Sequence, residues 1–445
     1  MQVVILAGGV GKRIAPLGVH KPKSMFQIMG KPLIQHVVDL LSDAQVDVEG
    51  VIIVIGPGEN SIRDYIKSKS DWELPFQFAV QDQPLGQANA LLSARERVHG
   101  NFLVLNANDL YSPALIKDLI GLGQKQPLDV GLVGRPVSNP NTFGVMAFDS
   151  HGKLTGVVEK PSAGTEPSNI AVVGLYYFSP KIFTALDATP QGKSDNQLER
   201  AYQKLIDEGG GGHIRYDDYF ASYKFPWDLL TLGDILLRQK CVRAVSPEAT
   251  ISPLAHLDGS VNVEPGARIL EFAVIRGPAY IGRSNIIGNG ALLRGGVSLG
   301  SDCVVGFSTE ISHSILGDQC WTHKNYIGDS IISDNCSFGA GTITANLRFD
   351  ETPVKVSVGD RFISSGTEHF GIIMAEDCRT GCNAVLHPGV KIGPNSIVGP
   401  GVMLDDDLPQ GMIALSQGDS YQIRKNKIDI RTLSRAERMK SLKKD

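Results

Sequence analysis

No apolar run in this chain of 445 residues approaches the ~20 residues that a helix needs to span a bilayer, so a helical membrane protein is excluded. The opening MQVVILAGG is apolar but short, with no basic residue ahead of it, so it does not read as a secretory signal. The six cysteines (Cys241, Cys303, Cys320, Cys336, Cys378 and Cys382) form no CxxC pair. Cys378 and Cys382 are four apart, yet no other Cys or His completes a zinc spacing, which leaves buried free thiols as the expectation. These absences predict a cytoplasmic protein that meets no membrane. A basic excess is missing too: 43 Lys and Arg stand against 47 Asp and Glu, a net charge of -4. That argues against a nucleic-acid partner, whereas small anionic substrates need only a few placed cations.

What is present divides into two patterns. The length exceeds what one hydrophobic core usually organises, so two or three domains are expected. Up to about residue 240, short β-rich runs alternate with helical stretches. Val3–Leu6, Val51–Ile55, Phe76–Val80 and Phe102–Leu105 read as strands, and Pro32–Leu41, Asn60–Lys69 and Gly86–Val98 as helices. Such alternation predicts an α/β domain with a Rossmann-like mixed sheet whose first strands are parallel, extended by later strands near Gly144–Phe148, Leu154–Glu159 and Ala171–Phe178. Phe225–Val242 reads as a helix leaving it, and Pro247 marks the break.

Beyond Pro247 the period becomes six. Ile251, Leu257, Val263, Ile269, Ile275, Ile281, Ile287, Leu293, Leu299, Val305 and Ile311 recur at every sixth position. The phase is lost near Leu316–Asn325 and returns with Met374, Thr380, Leu386, Ile392, Val398 and Leu404. Glycines follow several anchors, as at Gly282, Gly288 and Gly393. Six suits neither a helix nor an alternating strand; it is the period of a left-handed parallel β-helix with a triangular coil. The predicted organisation is an α/β domain over residues 1–228, a linker helix over 229–246, the β-helix over 247–412 and a tail over 413–445. The tail carries Arg435, Arg438, Lys440, Lys443 and Lys444 on a helix-like stretch. It reads either as a solvated cap on the prism or as a contact to coenzyme phosphates.

Directly after the first strand comes Leu6-Ala7-Gly8-Gly9-Val10-Gly11-Lys12-Arg13, followed by Pro22-Lys23. The glycines let backbone N–H groups crowd a polyphosphate, and Arg13 and Lys23 add two cations. GGxGxR followed by PK resembles the sugar-1-phosphate nucleotidylyltransferase (nucleotide-sugar pyrophosphorylase) family, over the whole first domain. The resemblance implies nucleotide contacts at Leu6, Ala7, Gly8, Gly9, Gly11, Gln81 and Gly86, and catalytic cations at Arg13 and Lys23. It implies Mg²⁺ on Asp109, at the end of the fourth strand. It places the sugar and its phosphate at Gly144, Glu159, Lys160, Asn169 and Val172. The family's second metal ligand, an Asp or Asn, falls on Ser222 when the chain is aligned on Pro226-Trp227-Asp228; Asp217, Asp218 and Asp228 are the acidic residues nearby.

Within the irregular part of the prism, Thr322-His323-Lys324-Asn325-Tyr326-Ile327-Gly328-Asp329 and GAGTITANLRFD from Gly339 to Asp350 form a second constellation. Together they resemble the acetyltransferase half of the bifunctional glucosamine-1-phosphate acetyltransferase/N-acetylglucosamine-1-phosphate uridylyltransferase family, in its archaeal form. The resemblance implies acetyl-CoA as co-substrate, His323 as general base, Tyr326 and Asn346 as phosphosugar ligands, and a homotrimer with sites between prisms. The chain departs from the family at Ser312, where a substrate-binding Lys is usual, at Ser337 in place of an Asn, and at Leu347 in place of a Tyr. The leading expectation is a bifunctional enzyme that makes a UDP-N-acetylhexosamine, using UTP among the NTPs. Two alternatives stay open: a nucleotidylyltransferase alone, of the glucose-1-phosphate uridylyl or thymidylyl type, with the prism for assembly or regulation; and a non-catalytic subunit that senses nucleotide-sugars.

Overall fold

A computed structural model describes residues 1–426 apart from 10, 70–71, 193–195 and 419. The basic helix expected near the C-terminus lies outside the described residues. The chain divides into two compact units, one formed by residues 1–10 and 33–222, the other by residues 11–32 and the chain from Tyr223 onward. Among the described residues no helix is long and apolar enough to cross a membrane.

The first unit opens with β1 (Gln2–Leu6), α1 (Leu33–Asp43), β2 (Gly50–Ile55), α2 (Ser61–Lys67), β3 (Phe76–Val80) and α3 (Gln87–Ser93). It continues with β4 (Phe102–Asn106), β5 (Asp109–Tyr111), α4 (Pro113–Lys125), β6 (Val130–Pro136), β7 (Gly144–Phe148), β8 (Leu154–Glu159) and β9 (Ile170–Phe178). Helices α5 (Lys181–Asp187) and α6 (Gln197–Leu205) precede β10 (Gly211–Arg215) and β11 (Phe220–Ser222). The run QVVIL of β1 is buried at every position because β1 lies between β2 and β4, parallel to both. The main path is β8-β7-β9-β4-β1-β2-β3, with β6 joining β9 to β10. The sheet turns mixed where β9 runs antiparallel to β4. In α6, Leu198, Ala201, Tyr202 and Leu205 share one face and are buried, the spacing of an amphipathic helix. The expected helix over 86–98 ends at Ser93, and Arg95–Arg97 forms a 3-10 turn instead.

In the second unit, α7 (Asp228–Lys240) leads into a three-sided parallel β-helix. One side stacks Ile251, Ile269, Ile287 and Val305. The second stacks Leu257, Ile275, Leu293 and Ile311, and the third Val263, Ile281 and Leu299. These side chains form one continuous core running on through Met374, Leu386, Ile392, Val398 and Leu404. Each fully buried Ile or Leu stabilises the prism by roughly 1.5–3 kcal/mol. The lost phase has a local cause. Gly295 and Gly296 face the single residue His313, and the corner bearing His323 and Lys324 is likewise one residue shorter than the coil before it. A longer excursion follows Thr344, which is next paired by Leu386, and it folds into a hairpin of Lys355–Val358 with Arg361–Ser364. Cys303, Cys320, Cys336 and Cys378 sit in this core as free thiols, and Cys241 is buried outside it; Cys382 departs from expectation in being exposed.

Residues 11–32 belong with this unit. Lys21 Nζ is 2.7 Å from Asp334, His20 Nδ1 is 2.5 Å from Glu376, and the Met29 N–H donates to Ser298 Oγ at 2.9 Å. Gly30, at φ 68°, lies so close to the Tyr280 hydroxyl that a side chain could not fit.

Candidate active sites

In the first unit Leu6, Ala7, Gly8, Gly9, Gln81 and Gly86 lie at and just beyond the carboxyl ends of β1 and β3, and Asp109 follows that of β4, where open α/β sheets bind ligands. The Ala7 N–H donates to Val54 O at 2.8 Å, the Gln81 N–H to Ile55 O at 2.8 Å and the Ala107 N–H to Leu6 O at 3.0 Å. These bonds carry the three strand ends past the sheet side by side. Gln81 is buried; its Nε2 donates to Gly86 O and Asn89 Oδ1, both at 3.0 Å. Its Oε1 stands where it would be 2.6 Å from a Cβ on Gly8, so a side chain at that position would displace the Gln81 amide. Gly86 has φ 103° as it turns into α3, a conformation that side chains resist.

Asp109 is 2% exposed. Its carboxylate accepts from Asn106 Nδ2 at 2.9 Å, Asn108 Nδ2 at 3.1 Å and Ser222 Oγ at 2.5 Å. The last contact follows from register, since β11 lies antiparallel on β5 with Ser222 opposite Asp109. Asn106 is in turn held by Gln87 Nε2 at 3.1 Å. The acidic residues near Ser222 are engaged elsewhere: Asp217 pairs with Arg215, Asp218 accepts from the Tyr219 N–H, and Asp228 accepts from the Lys224 and Phe225 N–H groups. Among the described residues no cluster of three or more His, Cys, Asp or Glu could hold a metal. A single buried carboxylate fits Mg²⁺ that keeps its waters and arrives on phosphate oxygens, and does not make an all-protein cage.

The sugar-segment residues also meet. Gly144 pairs with Glu159 across β7 and β8, and Ala171 of β9 pairs with Val145, which brings the segment of Asn169 and Val172 alongside. A Cβ on Gly144 would lie 2.8 Å from Glu159 Oε2. Lys160, at φ 44°, is 3.1 Å from Glu159 through its Nζ. Gly11, Arg13 and Lys23 lie in the segment grouped with the second unit. Gly11 turns at φ 66°, Arg13 sits in a 3-10 turn over Lys12–Ile14 with its guanidinium 5.8 Å from the Phe225 ring centroid, and Lys23 opens another such turn.

On the prism, His323 is exposed at its shortened corner, and its N–H donates to Asn325 Oδ1 at 2.5 Å. Tyr326 and Asn346 are brought together, Asn346 Nδ2 donating to Tyr326 Oη at 3.2 Å. Burial raises the Tyr326 phenol above its ordinary pKa, so it stays a neutral hydroxyl. Beside them lies a 560 Å³ hollow lined by Glu310, Lys324, Tyr326 and Cys382. A larger hollow of 840 Å³ on the first unit, around Met1, Asp47, Lys117 and Lys125, contains none of the predicted residues. Ser312 is buried, but Arg294 stands beside it one coil earlier. Its Nη2 is 2.6 Å from Glu310. Sequence reasoning passed over Arg294, although counting back one coil from Ser312 finds it. It also passed over Asp329, whose carboxylate accepts from Asn346 Nδ2, and His313, whose Nδ1 is 2.6 Å from Asp329.

Comparison with known proteins agrees with both halves. Residues 2–216 match the Nucleotidyl transferase family, and residues 371–406 match the six-repeat Bacterial transferase hexapeptide family. The chain is 33% identical to the "Bifunctional protein GlmU" of Methanococcus maripaludis over 92% of its length and 96% of that protein. It is 31% identical to the protein of the same name from Methanococcus aeolicus, over 97% of this chain and 99% of the other. It is 28% identical to the "Bifunctional sugar-1-phosphate nucleotidylyltransferase/acetyltransferase" of Sulfurisphaera tokodaii, over 92% and 99%.

Proposed function

The chain belongs to the family of the bifunctional protein GlmU, and from that premise we propose that it acetylates a hexosamine 1-phosphate and then converts the product to a UDP-N-acetylhexosamine. The cytoplasm is where it would meet UTP and acetyl-CoA. The observation that most supports the nucleotidyl step is the buried Asp109 network at the sheet's carboxyl edge, in line with the Gly8–Gln81–Gly86 contact.

In that step a sugar-phosphate oxygen attacks the α-phosphorus of UTP in line, and pyrophosphate leaves. The nucleophile is already an anion, so no base is required. Gln81 and Gly86 take the nucleobase, and Glu159, Asn169 and the backbone around Gly144 and Val172 take the sugar. Lys160 takes the sugar phosphate. Arg13 and Lys23 gather the charge that builds on the leaving phosphates. Mg²⁺, when bound at Asp109 with the nucleotide, supplies further neutralisation of phosphate charge. Asn106, Asn108 and Ser222 hold the Asp109 carboxylate in place for it.

In the other step the amine of the hexosamine attacks the acetyl thioester carbonyl, and coenzyme A leaves as the thiol. His323 accepts the amine proton. Tyr326 and Asn346 orient the sugar, and Arg294 offers a cation to its phosphate beside Ser312. Three copies packed side by side would complete the site at the shortened corner.

Thiol release from acetyl-CoA with a hexosamine 1-phosphate, together with pyrophosphate release from UTP with an N-acetylhexosamine 1-phosphate, tests this reading. Pyrophosphate release with a plain hexose 1-phosphate and no thiol release would favour the single-function enzyme. Nucleotide binding with neither release would favour a sensing subunit.

A further inference from the structure

His313 stands at the corner where Gly295 and Gly296 of the preceding coil face one residue, and that corner sets its backbone at φ 44°, in the left-handed region. Its imidazole lies between two carboxylates. Nδ1 is 2.6 Å from Asp329 Oδ1. Nε2 is 3.3 Å from Asp234 Oδ1 of α7, an ion-pair contact without the alignment of a hydrogen bond. Arg238 stands 3.9 Å from Asp234 on the same helix, and Gly295 and Gly296 of the preceding coil lie against His313.

Asp329 passes this contact on. Its second oxygen accepts from Asn346 Nδ2, which also donates to Tyr326 Oη. A carboxylate can only accept, so the Asn346 amide must turn its NH₂ group inward. Its carbonyl oxygen is thereby left to accept an N–H or O–H.

We propose that His313 is a positioning residue of the second site: it pins Asp329, which fixes the Asn346 amide so that Oδ1 is presented to the amino or hydroxyl hydrogens of a hexosamine 1-phosphate. The inference rests on the acetyl-transfer reading above. The pin is an imidazolium at neutral pH. Asp234 and Asp329 hold the His313 pKa up at about 9; above that the ring keeps its Nδ1–H toward Asp329 but loses its charge, which weakens the pin.

The test compares wild type with His313→Gln and Asp329→Asn, by thiol release from acetyl-CoA and hexosamine 1-phosphate across pH. Both variants should raise KM for the hexosamine 1-phosphate by about tenfold, the effect of one misdirected hydrogen bond. KM for acetyl-CoA and pyrophosphate release from UTP should stay as in wild type. Wild-type KM should climb as pH passes about 9, and His313→Gln should lack that component. An unchanged KM in either variant, or the same pH profile in both proteins, would overturn the proposal. If wild type releases no thiol, the acetyl-transfer reading has failed by itself, and equilibrium binding of hexosamine 1-phosphate decides: weaker binding by His313→Gln supports the pin, equal binding refutes it.

Discussion

Ser222 shows how far single residues could be read from the sequence. Alignment placed it where a metal ligand was expected, but its partner became visible only through the β5–β11 register, which sets its hydroxyl 2.5 Å from Asp109. Ser222→Ala should cost about 1.5–3 kcal/mol by urea unfolding, because it removes a donor to a buried carboxylate. Gly8, by contrast, was legible from its motif. Gly8→Ala should raise the UTP dissociation constant measured by calorimetry, since its Cβ would stand 2.6 Å from Gln81 Oε1 and displace that side chain. Arg13→Ala should lower kcat for pyrophosphate release by about 10²–10³-fold, as the loss of a cation that gathers transition-state charge does. Arg294 and His313 were not legible in the same way. Their significance comes from stacking on Ser312 and Asp329 of neighbouring coils, contacts that no local motif encodes. His313 also makes stability depend on pH. Its folded pKa is raised from the ordinary 6.5 to about 9, chiefly by Asp234 and Asp329. Its contribution is therefore complete below about pH 6.5 and is lost as pH rises through about 9. The urea midpoint should fall across that window in wild type and less so in His313→Gln.

Among the elements, the hexapeptide strands were the most readable, because each inward side chain meets the same position of the next coil. Ile269, Ile287 and Val305 stack at 1%, 0% and 1% exposure, which is why their spacing is so strict. Ile287→Ala should cost about 2–5 kcal/mol, and Ile251→Ala less because Ile251 is only partly buried; thermal or urea unfolding would rank them. The spacing fails around the proposed second site, at the two corners one residue short that carry His313 and His323. Strands β6 and β10 were not anticipated. The run GGHIR of β10 reads locally as a turn, and it becomes a strand only because parallel pairing to β6 satisfies its backbone. The end of α3 was likewise overestimated, since Ala94–Arg97 keeps a helical composition while tightening to a 3-10 turn.

For the whole molecule, the change from alternating strands and helices to a period of six exposed two units, but not their membership. Residues 11–32, with Arg13 and Lys23, group with the prism through Lys21–Asp334, His20–Glu376 and Met29–Ser298, pairs too distant in sequence to be foreseen. Because the proposed acetyl-transfer site would be completed between copies of the prism, the chain is predicted to assemble as three copies, which light scattering at micromolar concentration would register. The central claim is that one polypeptide runs both reactions in series. It is tested most directly by supplying hexosamine 1-phosphate, acetyl-CoA, UTP and Mg²⁺ together and following thiol, pyrophosphate and nucleotide-sugar in one vessel. The account predicts thiol and pyrophosphate in step with UDP-N-acetylhexosamine, loss of thiol in His323→Ala, and loss of pyrophosphate alone in Arg13→Ala. Pyrophosphate release that needs no acetyl-CoA, with no thiol under any condition, would contradict it.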